Sequence, residues 1–155
     1  MESEAVQDPY DGRLRQVAEG PWAGWMMYWG NDPFEDIIGP FYWRAEAGGG
    51  IRCAFRAEHK HLNGAGFMHG GCLMTFADYA LFEIAREALG DQRGVTATFS
   101  SEFVGAVSEG QFVACTGEVV KAGRSLIFVR ALVTADDEPV LSFSGVIKKV
   151  GPRKR

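Results

Sequence analysis

Over residues 71–88 the chain has almost no polar side. Leu73, Phe76, Ala77, Ala80, Leu81, Ile84 and Ala88 recur at three- and four-residue steps, the spacing of one face of an α-helix. The adjoining row, Met74, Asp78 and Phe82, is apolar except for its one acid, and the next charge comes only at Glu83. A helix without a wet face has to be enclosed. The rest of the chain offers no second long helix, only β-type runs: 41–47 and 51–57, joined around Gly48, Gly49 and Gly50, and then 95–104, 111–121, 125–135 and 139–150. Asp136-Asp137-Glu138 reads as a tight turn that makes the last two runs an antiparallel hairpin. Two strands before the helix and four after it can bury it only by wrapping a sheet around it. The expected class is α+β, in one domain of 155 residues.

Asp78 is costly in such a helix. A buried carboxylate must be paired, take up a proton or be kept for chemistry. The segment leading into the helix narrows these options. Gly64, Gly66, Gly70 and Gly71 lie within eight residues, so the backbone there turns sharply or approaches a ligand closely. Gly70 and Gly71 fall at the helix start, where N–H groups are unpaired and the helix dipole is positive. A donor at Gly70, with no side chain over it, is the geometry needed to polarise a carbonyl oxygen that gains charge during attack. Asn63 and His69 bracket this turn and could orient a water or a carbonyl.

The constellation Asn63-x-x-Gly66-x-x-His69-Gly70-Gly71, with Asp78 nine residues after His69, resembles the hotdog-fold acyl-CoA thioesterases, and within them the phenylacetyl-CoA thioesterase-like branch. The resemblance spans roughly residues 34–150. It implies a hotdog fold, an antiparallel sheet curled around one long central helix. It also implies hydrolysis of an acyl-CoA to free acid and CoA, with Asp78 as general base or nucleophile and the Gly70 N–H polarising the thioester carbonyl. By the same resemblance Asn63 positions the water or carboxylate, His69 holds the loop, and Thr96 supports Asp78. Lys121, Ala122, Gly123, Arg124 and Ser125 match the turn that contacts the nucleotide end of CoA, with Gly71 and Phe103 also near that ligand. The family builds its site across a homodimer, often paired into a dimer of dimers. No cofactor is expected beyond the CoA of the substrate.

The first thirty-three residues form an extension to a 34–150 core. Residues 1–12 are polar and read as loose. Leu14, Val17 and Ala18 suggest a helix that Gly20-Pro21 interrupts. Trp22, Trp25, Met26, Met27, Tyr28 and Trp29 then form a cluster that is either a lid over an acyl chain or ordinary packing. Phe34, Ile37 and Ile38 read as a short amphipathic turn or helix that ends at Gly39-Pro40. The tail over 151–155 is basic and solvated.

A formal charge of −4 argues against a nucleic-acid partner. No run approaches the roughly 18 apolar residues of a membrane span. The acidic Met1-Glu2-Ser3-Glu4 lacks the basic and apolar regions of a signal peptide, which points to the cytoplasm. Cys53, Cys72 and Cys115 have no metal-type spacing and are expected as reduced thiols. His59 and His61 lack further ligands and read as surface residues, so no metal is expected. Three rivals accompany the hydrolase reading: a hotdog-fold enoyl-CoA hydratase or dehydratase, a cysteine hydrolase using Cys72 with His69, and a non-catalytic acyl-CoA-binding protein.

Overall fold

The computed structural model describes residues 12–153. One antiparallel sheet of eight strands curls around a central helix, the hotdog arrangement. The helix, α2 (Gly70–Ile84), follows β1 (Leu14–Gln16), β2 (Met26–Tyr28), α1 (Pro33–Ile38), β3 (Tyr42–Ala45) and β4 (Ile51–Arg56). After it come α3 (Arg86–Leu89), β5 (Gln92–Phe103), β6 (Phe112–Ala122), β7 (Leu126–Ala135) and β8 (Glu138–Pro152). The spatial order is β1-β2-β3-β4-β6-β7-β8-β5, so β5 closes one edge and the short β1 the other. Asp136 and Asp137, both at positive φ (46° and 70°), make the two-residue turn between β7 and β8. No helix among the described residues is long and apolar enough to cross a membrane.

The core lies between α2 and the concave face of the sheet. Phe55, Phe76, Leu81, Ile127, Leu141 and Ile147 are fully buried there, each contributing about 2 kcal/mol of burial. The long helix is shorter than its periodicity predicts. It leaves the helical path at Ala85 (φ −87°, ψ 2°), and α3 ends at Gly90 with φ +58°.

The N-terminal extension is strand, not helix. Leu14 to Gln16 pair antiparallel with Tyr28 to Met26, and Val17 N–H donates to the Trp25 carbonyl at 2.8 Å to close the connection. Gly20 and Gly24, at φ +83° and +87°, turn the chain back on itself. The ladder supplied by the returning strand overrides the weak helical spacing of Leu14, Val17 and Ala18. The expectation for residues 1–11 lies outside the described residues. Trp22 and Trp25 are packing: Trp22 stacks on Tyr42 with ring centroids 4.2 Å apart, and Trp25 takes the Arg44 guanidinium over its ring at 4.4 Å. They cover Ala54 and Ala114 in a second small core.

Two further expectations are corrected. Helix α1 is capped by Asp32, which accepts from Phe34 N and Glu35 N, but only part of its apolar set packs: Ile38 lies against the core, Phe34 and Ile37 are 61% and 70% exposed, and Glu35 turns inward. His61 is buried rather than on the surface. Its Nδ1 accepts from Glu58 N at 2.9 Å and its Nε2 donates to the Ile38 carbonyl at 2.6 Å, tying the end of α1 to the turn before the glycine-rich loop. His59 is exposed as expected. Of the basic tail, Gly151 and Pro152 end β8, Arg153 N–H donates to the Asp91 carbonyl, and 154–155 lie outside the described residues.

Gly117 pairs with Ala131 where β6 and β7 approach most tightly, and a Cβ there would overlap the Ala131 Cβ and the Arg130 carbonyl. Because backbone cannot rotate aside, Gly117→Ala is expected to lower stability by about 1–3 kcal/mol. Gly48→Ala, in open space, should stay within about 0.5 kcal/mol. Denaturant unfolding of both variants measures the difference.

Candidate active site

The glycine-rich loop is held by its own side chains. Asn63 Oδ1 accepts from Ala65 N (2.9 Å) and Phe67 N (3.2 Å), while Asn63 N donates to the Phe67 carbonyl. The carbonyl end of Asn63 is thus committed to the turn, and only its amide nitrogen can face a ligand. Gly66 sits at φ +86°, a conformation that favours glycine. His69 is the N-cap of α2, and its Nδ1 accepts the Gly71 N–H at 2.8 Å. Nε2 therefore carries the ring proton and is the atom left to donate outward. A Cβ at Gly71 would stand 3.0 Å from His69 Nδ1, so this cap requires glycine there.

Among the described residues the Gly70 N–H has no acceptor. It lies in the first turn of a fifteen-residue helix, where the N–H groups point outward and the dipole favours negative charge. The Phe103 ring lies over Gly70, at 3.3 Å from where a Cβ would be. Asn63, His69, Gly70, Gly71 and Phe103 therefore form one cluster.

Asp78 and Thr96 form another. Half-buried Asp78 accepts from the Thr96 hydroxyl at 2.6 Å through Oδ1, which leaves Oδ2 available. Asp78 follows Gly70 by eight residues, about 12 Å along the helix axis. Within one chain the free N–H and the free carboxylate oxygen cannot reach the same carbonyl group. The turn of Lys121, Ala122, Gly123, Arg124 and Ser125 belongs to the Asp78 end. Gly123 N donates to Leu126 O at 2.8 Å, and Leu126 is level with Lys148, itself level with Val95 beside Thr96. That register leaves the exposed Lys121, on β6 and level through Phe128 and Val146 with Thr98, about three strand spacings, roughly 14 Å, from β5, with the exposed Arg124 in the turn beyond it.

Asp78 opens into a cleft of about 540 Å³ lined also by Arg93, Gly94, Phe82 and Arg153. A second, apolar hollow of about 450 Å³ adjoins it, with Met27, Trp29, Pro40 and Phe41 among its walls. Tyr28, Asp32, Glu35 and Tyr79 line both. Burial, reinforced by Asp32, Glu83, Asp78 and Asp36, pushes the Glu35 carboxyl up to about 8. Beneath them Glu83 is buried too, but it accepts from Arg86 at 2.9 Å and Tyr28 at 3.3 Å, and Arg86 lies 3.9 Å over the Trp43 ring.

Glu35, Tyr79, Arg93 and Arg153 were not singled out by the sequence. Glu35 sits in the acidic run Asp32-Pro33-Phe34-Glu35-Asp36 beside more apolar neighbours, and nothing local marks it as inward. The Glu83–Arg86 pair was legible, since a three-residue separation puts the two on one face. The cysteine-hydrolase rival fails: Cys72 is buried, its thiol is pushed up to about 11 by that burial, and His69 Nδ1 is engaged elsewhere.

The sequence profile of the thioesterase superfamily matches residues 65–142, from the glycine-rich loop into β8. A putative esterase of Pseudomonas aeruginosa is 32% identical over 124 residues, covering 79% of this chain and 92% of that protein. Human acyl-coenzyme A thioesterase 13 is 28% identical over 105 residues, 65% of this chain and 72% of its own length. A hypothetical thioesterase of Streptococcus pneumoniae, solved with coenzyme A, superposes with a TM-score of 0.65 at 21% identity, covering 74% of this chain and 88% of that one.

Two outcomes test this geometry. Gly71→Ala displaces the His69 ring and should lower stability by about 1 kcal/mol, the usual effect of a lost N-cap, whereas Gly64→Ala, in open space, should not. Glu35 titrates higher in the folded chain (about 8) than in the unfolded one (near 4.5), so the native state holds the extra proton between those values. Its contribution is complete below pH 4.5 and declines by up to about 1.4 kcal/mol per pH unit as pH rises toward 8. Glu35→Gln should abolish that decline, and unfolding free energies of both proteins from pH 5 to 8 measure it.

Proposed function

This chain belongs to the thioesterase superfamily, and from that membership we propose that it hydrolyses acyl-CoA thioesters to a free acid and CoA, with Asp78 at the reacting carbon. The observation that carries the reading is the pairing of two unspent groups: the Gly70 N–H, which has no acceptor, and the Asp78 carboxylate, which Thr96 holds by one oxygen only. A thioester carbonyl accepting from Gly70 gains negative charge as it is attacked, and the helix terminus stabilises that charge. Asp78 Oδ2 either takes a proton from the attacking water or attacks directly to give a mixed anhydride that water then opens. Thr96 fixes the carboxylate's rotation. His69 Nε2–H and the Asn63 amide nitrogen are the donors left to orient the carbonyl or the water.

The 12 Å between the two groups requires a second copy of the chain. β5 supports this: it is twelve residues long, pairs only with β8 among the described strands, and carries Phe103 near one end and Thr96 near the other. Antiparallel pairing of β5 with β5 of a twofold-related copy would bring the Gly70 loop of one protomer to the Asp78 and Thr96 of its partner. The exposed Lys121 and Arg124, with the turn N–H groups between them, would receive the phosphates at the nucleotide end of CoA. No cofactor enters the reaction.

The reading is tested by free-thiol release from short, medium, long and aromatic acyl-CoAs. Asp78→Asn is expected to lower kcat by a factor on the order of 100 or more, and Thr96→Val by about 10, with the folded state intact in both. Binding of CoA without thiol release by the native protein would favour an acyl-CoA-binding role, and equal turnover by Asp78→Asn would make Asp78 structural.

A further inference from the structure

We propose that the apolar hollow between β2, α1 and α2 receives the acyl group of the substrate, and that Glu35 at its mouth is a specificity-determining residue that admits uncharged, apolar chains. The proposal rests on the thioester-hydrolysis reading for the identity of the ligand. The hollow adjoins the Asp78 cleft, and Tyr28, Asp32, Glu35 and Tyr79 border both. At about 450 Å³ it falls in the size range of pockets that enclose small organic ligands. Its walls are mainly apolar and aromatic. The Tyr79 hydroxyl at the junction is buried and has no hydrogen-bond partner among the described residues, a polar group available to a ligand or its water.

Helix α1 supplies the independent observation. It leaves Phe34 and Ile37 in solvent and turns Glu35 inward, against the preference of its own sequence. Ile38, three residues on, packs against the core from the same face, but that packing does not call for a carboxyl at position 35. The charges around it decide which acyl groups fit. From α1 come Asp32, spent as the N-cap, and Asp36; from α2 come Asp78 and Glu83, with Tyr79; from β2 comes Tyr28. The cations Arg93, from β5, and Arg153, from β8, line the Asp78 cleft and not the hollow. Arg86, from α3, donates to the Tyr28 hydroxyl at 3.2 Å but is paired with Glu83 at 2.9 Å and does not line the hollow, so a chain ending in a carboxylate would meet acids along its walls and no unpaired cation among them. An apolar chain meets a Glu35 carboxyl that stays protonated up to about pH 8.

Affinities of S-methyl, S-octyl and S-(7-carboxyheptyl) CoA thioethers, which cannot be hydrolysed, test this by calorimetry. Each buried methylene adds about fourfold, so with only about half of its seven extra methylenes enclosed the octyl ligand should bind on the order of 100-fold tighter than the methyl one, and the carboxyheptyl ligand should lose most of that gain. Above pH 8 the octyl-to-methyl ratio should fall by up to about tenfold per pH unit in the native protein, and Glu35→Gln should keep it constant. Glu35→Trp, which closes the mouth, should reduce the ratio at least tenfold at pH 7. A native ratio near one, or a ratio that neither substitution nor pH alters, overturns the proposal. Thiol release assayed on the same preparations separates the two readings. The octyl preference without thiol release supports the pocket and removes the hydrolase, whereas thiol release with a ratio indifferent to Glu35 leaves the hydrolase and removes the pocket.

Discussion

Helix α2 has to be covered along its whole length, yet both of its chemically useful positions have to stay open. Phe76, Ala77, Ala80 and Leu81 face the concave sheet without solvent access, and no single layer of another kind in this chain could enclose them. Once the sheet is wrapped, two openings remain: the N-terminus under the glycine-rich loop, and the flank where Asp78 meets Thr96. The glycines follow from the first opening. Gly71 is where the His69 ring folds back to cap the helix, and Gly70 is where the Phe103 ring comes close to the backbone.

The same helix bears on the proposed two-chain site. Its rise separates the donor from the carboxylate by about 12 Å, more than a thioester group spans. A chain that kept both groups for one reaction has to borrow one of them from a neighbour. The long edge of β5 offers the pairing surface, and its twofold repetition would give two sites per dimer, each with a complete set.

What could be read from residues alone was what depends on local spacing. The period of 71–88, the glycine hinge before it, the Asp136-Asp137 turn and the alternation of the late strands each encode their own geometry, and they placed the sheet and the helix correctly except for the break at Ala85. Asn63, His69, Gly70 and Asp78 could be proposed together because a loop-to-helix junction keeps them within sixteen residues. The failures share one cause, long-range packing. Leu14 belongs to a strand only because residues 26–28 return beside it, His61 is buried only because α1 ends over it, and Glu35 faces inward although Phe34 and Ile37 are more apolar. None of these is visible within a ten-residue window.

The claim most exposed to refutation is that one active site is assembled from two chains. Gly70→Pro removes the N–H at the first helical position, where proline is tolerated, and Asp78→Asn removes the carboxylate. Each variant alone should be inactive. Co-expressed and purified together, half of the dimers would be mixed, and each would contain one site with both native groups. The account predicts recovery of about a quarter of native thiol release in the mixed preparation. A mixture as inactive as its two components, with mixed dimers demonstrated by mass spectrometry, would contradict it and return both groups to a single chain or remove one of them from the chemistry.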